Sequence, residues 1–165
     1  MSEADSSQQE LDKTFREYAW NYFEIHADQR LRAFHFYIVL STALVGGFLL
    51  LLRDDHGHKW MSALGFLLAF FSFVFSKLDR RTRDLINHAE DALKFLDSHH
   101  DLKDVEGRPH PLKLFSRDDE LTRSLKLWPL FTGHFSYSRC FKWVFNVFAI
   151  TGIVAAIACI YVFPI

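Results

Sequence analysis

Cysteine is nearly missing from this chain: Cys140 and Cys159 are the only two among 165 residues. Two thiols supply neither a disulfide framework nor a four-ligand zinc site, and no C-x-x-C occurs. Both are expected to be inert. Proline and glycine are sparse as well, at four and seven. Neither occurs between Ser7 and Gly46, nor between Gly65 and Gly107, so no local breaker interrupts a helix there. An excess of one charge is also missing. Lys and Arg total 19 against 20 Asp and Glu, a net charge of −1. No global basic field exists to hold nucleic acid, and direct nucleic-acid binding is not expected. A Gly-rich phosphate loop and a Ser-His-Asp arrangement are both lacking, so no cofactor and no enzyme activity are expected.

What the chain has is apolar surface. Half of its residues are hydrophobic and 18 are Phe, which excludes a disordered chain. The length suits a single domain, 1–165. The apolar residues fall into three runs: Ala33–Leu52, Trp60–Ser76 with Leu78 extending it, and Trp143–Phe163. At 1.5 Å per residue, a 20-residue helix covers about 30 Å, the thickness of a hydrocarbon core. The expected fold class is therefore all-α, an integral membrane protein with three transmembrane helices. The spans are placed at 33–52, 60–78 and 141–163. The start, MSEADSSQQE, has no basic n-region and no early apolar run, so the first span is expected to stay in the mature protein.

The basic residues set an orientation. Residues 1–32 hold four, the loop 53–59 two, the stretch 77–142 thirteen, and the end of the chain none. The N-terminus and the connector 99–140 are expected to be cytoplasmic, with the loop RDDHGHK and the C-terminus on the opposite side of a bacterial inner membrane. Before the first span, apolar residues recur at Leu11, Phe15, Tyr18, Tyr22 and Ile25, a heptad-type spacing. A second stripe leaves the second span at Leu78, Thr82, Leu85, Ala89, Ala92 or Leu93, and Leu96. We expect helices over 8–52 and 60–98 whose cytoplasmic extensions zip into a helical hairpin. Gly107-Arg-Pro-His-Pro111 ends this stretch, and Ser116-Arg-Asp-Asp reads as the N-cap of a short helix carrying Leu121 and Leu125. The aromatic segment from Leu127 through Tyr137 either lies at the membrane surface or packs on the hairpin.

Candidate chemistry is thin. His56-Gly-His58 beside Asp54 and Asp55 offers a partial metal set without firm third and fourth ligands, and His99, His100 and His110 flank the break. No metal is expected. Arg83-Asp-Leu-Ile-Asn-His88 matches the Arg-x4–6-His signature of HEPN ribonucleases, the only catalytic candidate. The same Arg-x4-His spacing recurs at Arg30–His35 and Arg53–His58, and chance alone yields roughly two matches in a chain this rich in Arg and His. On an uninterrupted helix, residues five apart also point about 140° away from each other.

Polar and small residues inside the spans are more informative, because lipid makes polar groups costly. His35, Thr42, Gly46 and Gly47 lie in the first span, and Asn146 in the third. Thr42–Gly46 and Ala43–Gly47 fit small-xxx-small contact faces, as do Gly65–Ala69 and Gly152–Ala156. Three spans are too few to enclose an ion path, so leftover faces point to a homo-oligomer lined by the first span. Membrane lipids and a cytoplasmic protein or ribonucleoprotein are the expected partners. A plain anchor that recruits such a partner is the alternative.

The layout of two long helical spans with extensions, a third span and Arg83-to-His88 resembles the membrane accessory protein of type VI-B CRISPR systems. It is similar in outline to membrane effectors of retron and related antiphage systems. Tyr22-Phe-Glu-Ile-His-Ala-Asp-Gln-Arg-Leu-Arg32 looks like a family signature with no role attached. The resemblance implies an oligomeric pore that depolarises the membrane when a phage-sensing partner triggers it. Arg83 and His88 would then serve oligomer or gating contacts.

Overall fold

The computed structural model describes residues 3–53, 58–99, 113–116 and 137–162. All described regular structure is helical. Helix α1 runs Glu3–Leu51, α2 His58–His99 and α3 Tyr137–Val162. Residues 114–116 are helical as well. α1 starts five residues before the expected position 8. At its other end, the Leu52 amide donates to the Phe48 carbonyl at 3.1 Å and the Arg53 amide to the Leu50 carbonyl at 3.2 Å. The second bond is of the tighter i→i−3 kind that often closes a helix. α3 starts at 137, because Tyr137-Ser-Arg-Cys contains no breaker and extends the expected span backwards.

The chain packs as two compact units. One comprises residues 29–82 and 136–165, the other 1–28 and 83–135.

The first of these contains all three apolar segments. α1 and α2 run antiparallel in it: Arg30 meets Asp79, Tyr37 meets Ser72, and Gly47 lies against Leu64. Along α2 the buried positions Met61, Gly65, Leu68, Ser72 and Asp79 follow a four–three spacing, the period of a helix–helix seam. The core is aromatic. Tyr37, fully buried, sits with Phe141 and Phe145, and Phe34, Phe75 and Phe148 pack around them. The Phe34 and Phe141 rings stack with centroids 3.7 Å apart, and Phe145 meets Tyr37 edge-on at 4.7 Å. The Ser72 hydroxyl lies 2.7 Å from the Leu68 carbonyl, to which it donates, and 2.8 Å from the Tyr37 hydroxyl. Ser72 has one proton and spends it on Leu68, so Tyr37 is the donor in their pair.

Beyond that core, α2 and α3 touch backbone to backbone. A Cβ built on Gly65 would stand 2.8 Å from the Ala156 nitrogen and the Gly152 oxygen. One on Gly152 would stand 2.6 Å from the Gly65 oxygen and 2.8 Å from the Ala69 nitrogen. The Ser62 hydroxyl donates across the same crossing to the Ala156 carbonyl at 3.3 Å.

The other unit is built differently from the sequence expectation. Among its described residues the buried side chains are Ala19 on α1 and Ile86, Ala89 and Leu93 on α2. The aromatic stripe expected to zip against α2 points away instead: Leu11, Phe15, Tyr18 and Ile25 are exposed, and Tyr22 is half-buried. On α2 the expected line Leu85, Ala89, Ala92 or Leu93, and Leu96 is buried at Ala89 and Leu93, with Ile86 buried in place of Leu85. The buried positions thus combine two small side chains, Ala19 and Ala89, with the aliphatic Ile86 and Leu93, and include no ring. Arg16 holds the rotation by pairing with Asp97 at 2.7 Å, and Phe23 meets Phe115 edge-on at 5.5 Å.

Candidate functional site

Three helices are long and apolar enough to cross a membrane: Ser7–Leu51, Trp60–Ser98 and Ser138–Tyr161. Within their most apolar windows only 11%, 22% and 17% of residues are buried inside the protein. A water-soluble bundle buries such faces. Here the apolar surface is turned outward and needs a non-aqueous cover or a partner.

The candidate site residues divide into two faces of α1. His35, Thr42 and Gly46 share one face with Val39, at a four–three–four spacing. His35, Val39 and Thr42 are exposed, and a Cβ on Gly46 would meet nothing within 4 Å. The Thr42 hydroxyl donates back to the Ile38 carbonyl at 2.8 Å, so it occupies an apolar face without leaving its proton unmatched. His35 lines a shallow recess of about 400 Å³ with Leu31, Arg32, Phe36 and Val39. Gly47 belongs to the other face, where a Cβ would come to 3.4 Å from the Leu64 side chain. It is an intramolecular packing position. Asn146 is exposed on α3 between the buried Phe145 and the exposed Val147, and the structure does not bring it to the α1 residues.

Next to the apolar segments sits a charged cluster whose members the sequence did not bring together. The Arg30 Nε donates to the Asp79 carboxylate at 2.7 Å, and its Nη2 donates to the Ser138 hydroxyl at 3.1 Å. The guanidinium lies over the Phe141 ring, 5.0 Å from its centroid. The side chains are 12% and 6% exposed for Arg30 and Asp79. One guanidinium therefore joins all three helices. Its planar fork, charge and stacking face are each used, which Lys could not reproduce. The signal for it was present: Arg30 stands three residues before the first apolar run, and Asp79 three after Ser76. An antiparallel hairpin brings such positions level. Tyr37 was missed as well, since a Tyr within an apolar run reads as one more apolar residue until its hydroxyl finds Ser72.

Arg83 and His88 lie on the unbroken α2 of the other unit. His88 is exposed, and Arg83 is half-buried. With no interruption of the helix, the two side chains of one protomer diverge. Among the described residues, no three His, Cys, Asp or Glu side chains gather as a metal set. Asp54, Asp55, His56, His100, His110, the break at 107–111, and residues 117–136 lie outside the described residues, as do the side chains of His58 and His99.

No protein-family profile matches the chain, and no solved structure does. Among curated proteins it is similar to CD-NTase-associated protein 19 of Escherichia coli, 34% identical over 144 residues, covering 86% of this chain and 87% of that protein. An alignment of that extent includes most of the three long helices, and at this identity the chain belongs to the family of CD-NTase-associated protein 19.

Proposed function

We propose that this chain is a membrane-embedded effector of bacterial antiphage defence, of the CBASS type, that self-associates into a pore and depolarises the inner membrane when a partner system triggers it. The observation that carries this reading is the outward apolar surface of three membrane-length helices, interrupted on α1 by the unpartnered face His35–Val39–Thr42–Gly46. Three helices surround no water path. Several copies presenting that face inward would, with the Thr hydroxyl, the Gly backbone and an imidazole lining it. The orientation is the one given by the basic residues, N-terminus inside.

The relative is named as associated with a CD-NTase, which favours a CD-NTase system as the source of the trigger. The layout likeness to type VI-B CRISPR accessory proteins supports the same kind of effector with a ribonucleoprotein trigger instead. The basic run Lys77, Arg80, Arg81 and Arg83 suits lipid phosphates at the inner surface.

The test is depolarisation of cells expressing the protein with its trigger. Thr42→Leu and Gly46→Leu are expected to abolish depolarisation while leaving membrane insertion and helical content unchanged, since neither position packs inside the protomer. If both variants still depolarise cells, α1 does not line the path. If the unchanged protein never depolarises cells yet co-purifies with its partner, it is an anchor and not a pore. His88→Ala is expected to produce no loss of any RNA-degrading activity in the purified protein, because none is expected to begin with. RNA cleavage lost in His88→Ala with oligomer mass intact would instead identify a ribonuclease.

A further inference from the structure

Among the described residues of the unit formed by 1–28 and 83–135, an aromatic face is exposed. Leu11, Phe15, Tyr18 and Ile25 are 51%, 59%, 68% and 63% exposed, and Phe95 of α2 is 64% exposed beside them. Within this face Phe15, Tyr18, Tyr22, His88, Phe95 and Leu96 bound a largely apolar groove of about 640 Å³, floored by Ala19, Ala89 and Ala92. From their sizes and exposures, the open apolar area is about 600 Å², at the upper limit of what a monomer in water normally shows. Lipid is a poor cover here. Asp12, Lys13, Arg16, Glu17 and Glu24 are interleaved with the stripe, and this density of charge excludes the segment from hydrocarbon.

We infer that this face is a self-association seam whose occupant is the same face of a second copy of the chain. Three observations favour a copy over an unrelated partner. The stripe Leu11–Phe15–Tyr18–Tyr22–Ile25 keeps a four–three spacing over two heptads, the period of a seam between long helices. The face is self-complementary, with protruding rings at Phe15, Tyr18 and Phe95 beside a floor of alanines, as two-fold pairing requires. The seam's middle flanks are Thr14, Ala19 and Asn21, which carry no charge, so two identical copies meet without like-charge repulsion. Face to face, two copies would bury about 1,200 Å² in total, the lower end for a specific interface. The inference shares with the pore reading only its oligomeric part and requires no conduction.

The experiment uses the full-length protein in detergent. A photo-reactive benzoylphenylalanine at Tyr18 is expected to give a covalent dimer, while the same group at Lys13, exposed and about 140° away around the helix, gives little. Tyr18→Glu is expected to weaken self-association about tenfold or more, since each pair would bury two carboxylates against rings. Tyr18→Phe is expected to retain the native mass. Cross-links from position 18 confined to its own chain, as a groove filled by residues 117–136 would give, overturn the seam. So does an unchanged mass for Tyr18→Glu with helical content intact. Depolarisation measured on Tyr18→Phe separates the two readings: a dimer cross-link without depolarisation keeps the seam and removes the pore.

Discussion

Asp79→Ala is expected to destabilise the protein by about 3–5 kcal/mol, because it strands the Arg30 guanidinium in a nearly closed site. Arg30 is only 12% exposed, with Asp79 at 2.7 Å, Ser138 at 3.1 Å and the Phe141 ring beneath it. Truncating the carboxylate leaves the charge, removes its partner and keeps water out. Arg30→Ala should also destabilise the protein, since the nearly buried Asp79 carboxylate loses its 2.7 Å cationic partner. The double variant Arg30→Met with Asp79→Leu should recover most of the loss, because two apolar side chains of similar volume incur no desolvation penalty. Ser138→Ala removes one charge-assisted bond and is expected to cost about 1.5–3 kcal/mol at most. The Arg16–Asp97 pair, equally short at 2.7 Å, supplies the control: Arg16 is 41% exposed, and solvent screening holds the effect of Arg16→Ala to about 1 kcal/mol or less. Unfolding midpoints of the purified variants in mixed detergent and SDS measure all five. A double variant as unstable as either single one would mean that the pair positions the helices by a route other than charge burial. The cluster also bears on function, because any movement of one helix relative to the other two must first break a contact of Arg30.

Much of this architecture was legible from the chain, and the exceptions have physical causes. Long apolar runs without breakers state their own helicity, so α1, α2 and α3 could be placed within a few residues. The Gly65–Ala69 and Gly152–Ala156 faces were visible as small-residue spacing, although the sequence alone could not say that they meet each other. Thr42 and Gly46 were separable from Gly47 only once the rotation of α1 was known. A hundred-degree step per residue puts neighbours on different faces. The aromatic stripe misled for a related reason. Periodicity tells which residues share a face, and burial tells what the face meets; Leu11 to Ile25 share a face that the protomer leaves open. The buried positions are Ala19, Ile86, Ala89 and Leu93, and small residues such as the two alanines carry no hydrophobic signal that rises above a run of Phe and Tyr. Arg30 and Asp79 illustrate a third limit. Arg30 entered the orientation count as one basic residue and Asp79 carried no reading, and only antiparallel pairing turns them into one buried cluster. The Arg83–His88 motif was recognisable as a spacing, but α2 continues through it, and a spacing without a helix interruption does not converge.

Gly152→Leu is expected to have the largest effect of any single change in the apolar helices. Even the Cβ of an alanine would stand 2.6 Å from the Gly65 oxygen and 2.8 Å from the Ala69 nitrogen, and both are backbone atoms that no rotamer change can move. The helices must separate. Gly152→Ala is expected to cost about 1–3 kcal/mol from overpacking, although alanine would otherwise favour a helix by about 1 kcal/mol over glycine. Gly152→Leu should exceed that range, because separation also breaks the Ser62 bond to Ala156 and opens the backbone contact that small residues exist to make. Gly65→Ala meets the α3 backbone at the same crossing, the Ala156 nitrogen and the Gly152 oxygen at 2.8 Å, and should behave alike. Gly46 is the contrasting site: with nothing within 4 Å of its Cβ, Gly46→Ala should be neutral or slightly stabilising in the protomer. Thermal unfolding of the four variants in one detergent separates these outcomes, and equal midpoints for Gly46→Ala and Gly152→Ala would show that α2 and α3 do not cross at these glycines. The contrast gives the depolarisation experiment its meaning. A substitution at Gly152 that silences the protein does so by loosening α3, whereas one at Gly46 that silences it leaves every contact within the protomer in place, and the lost activity must then belong to something α1 faces outside it.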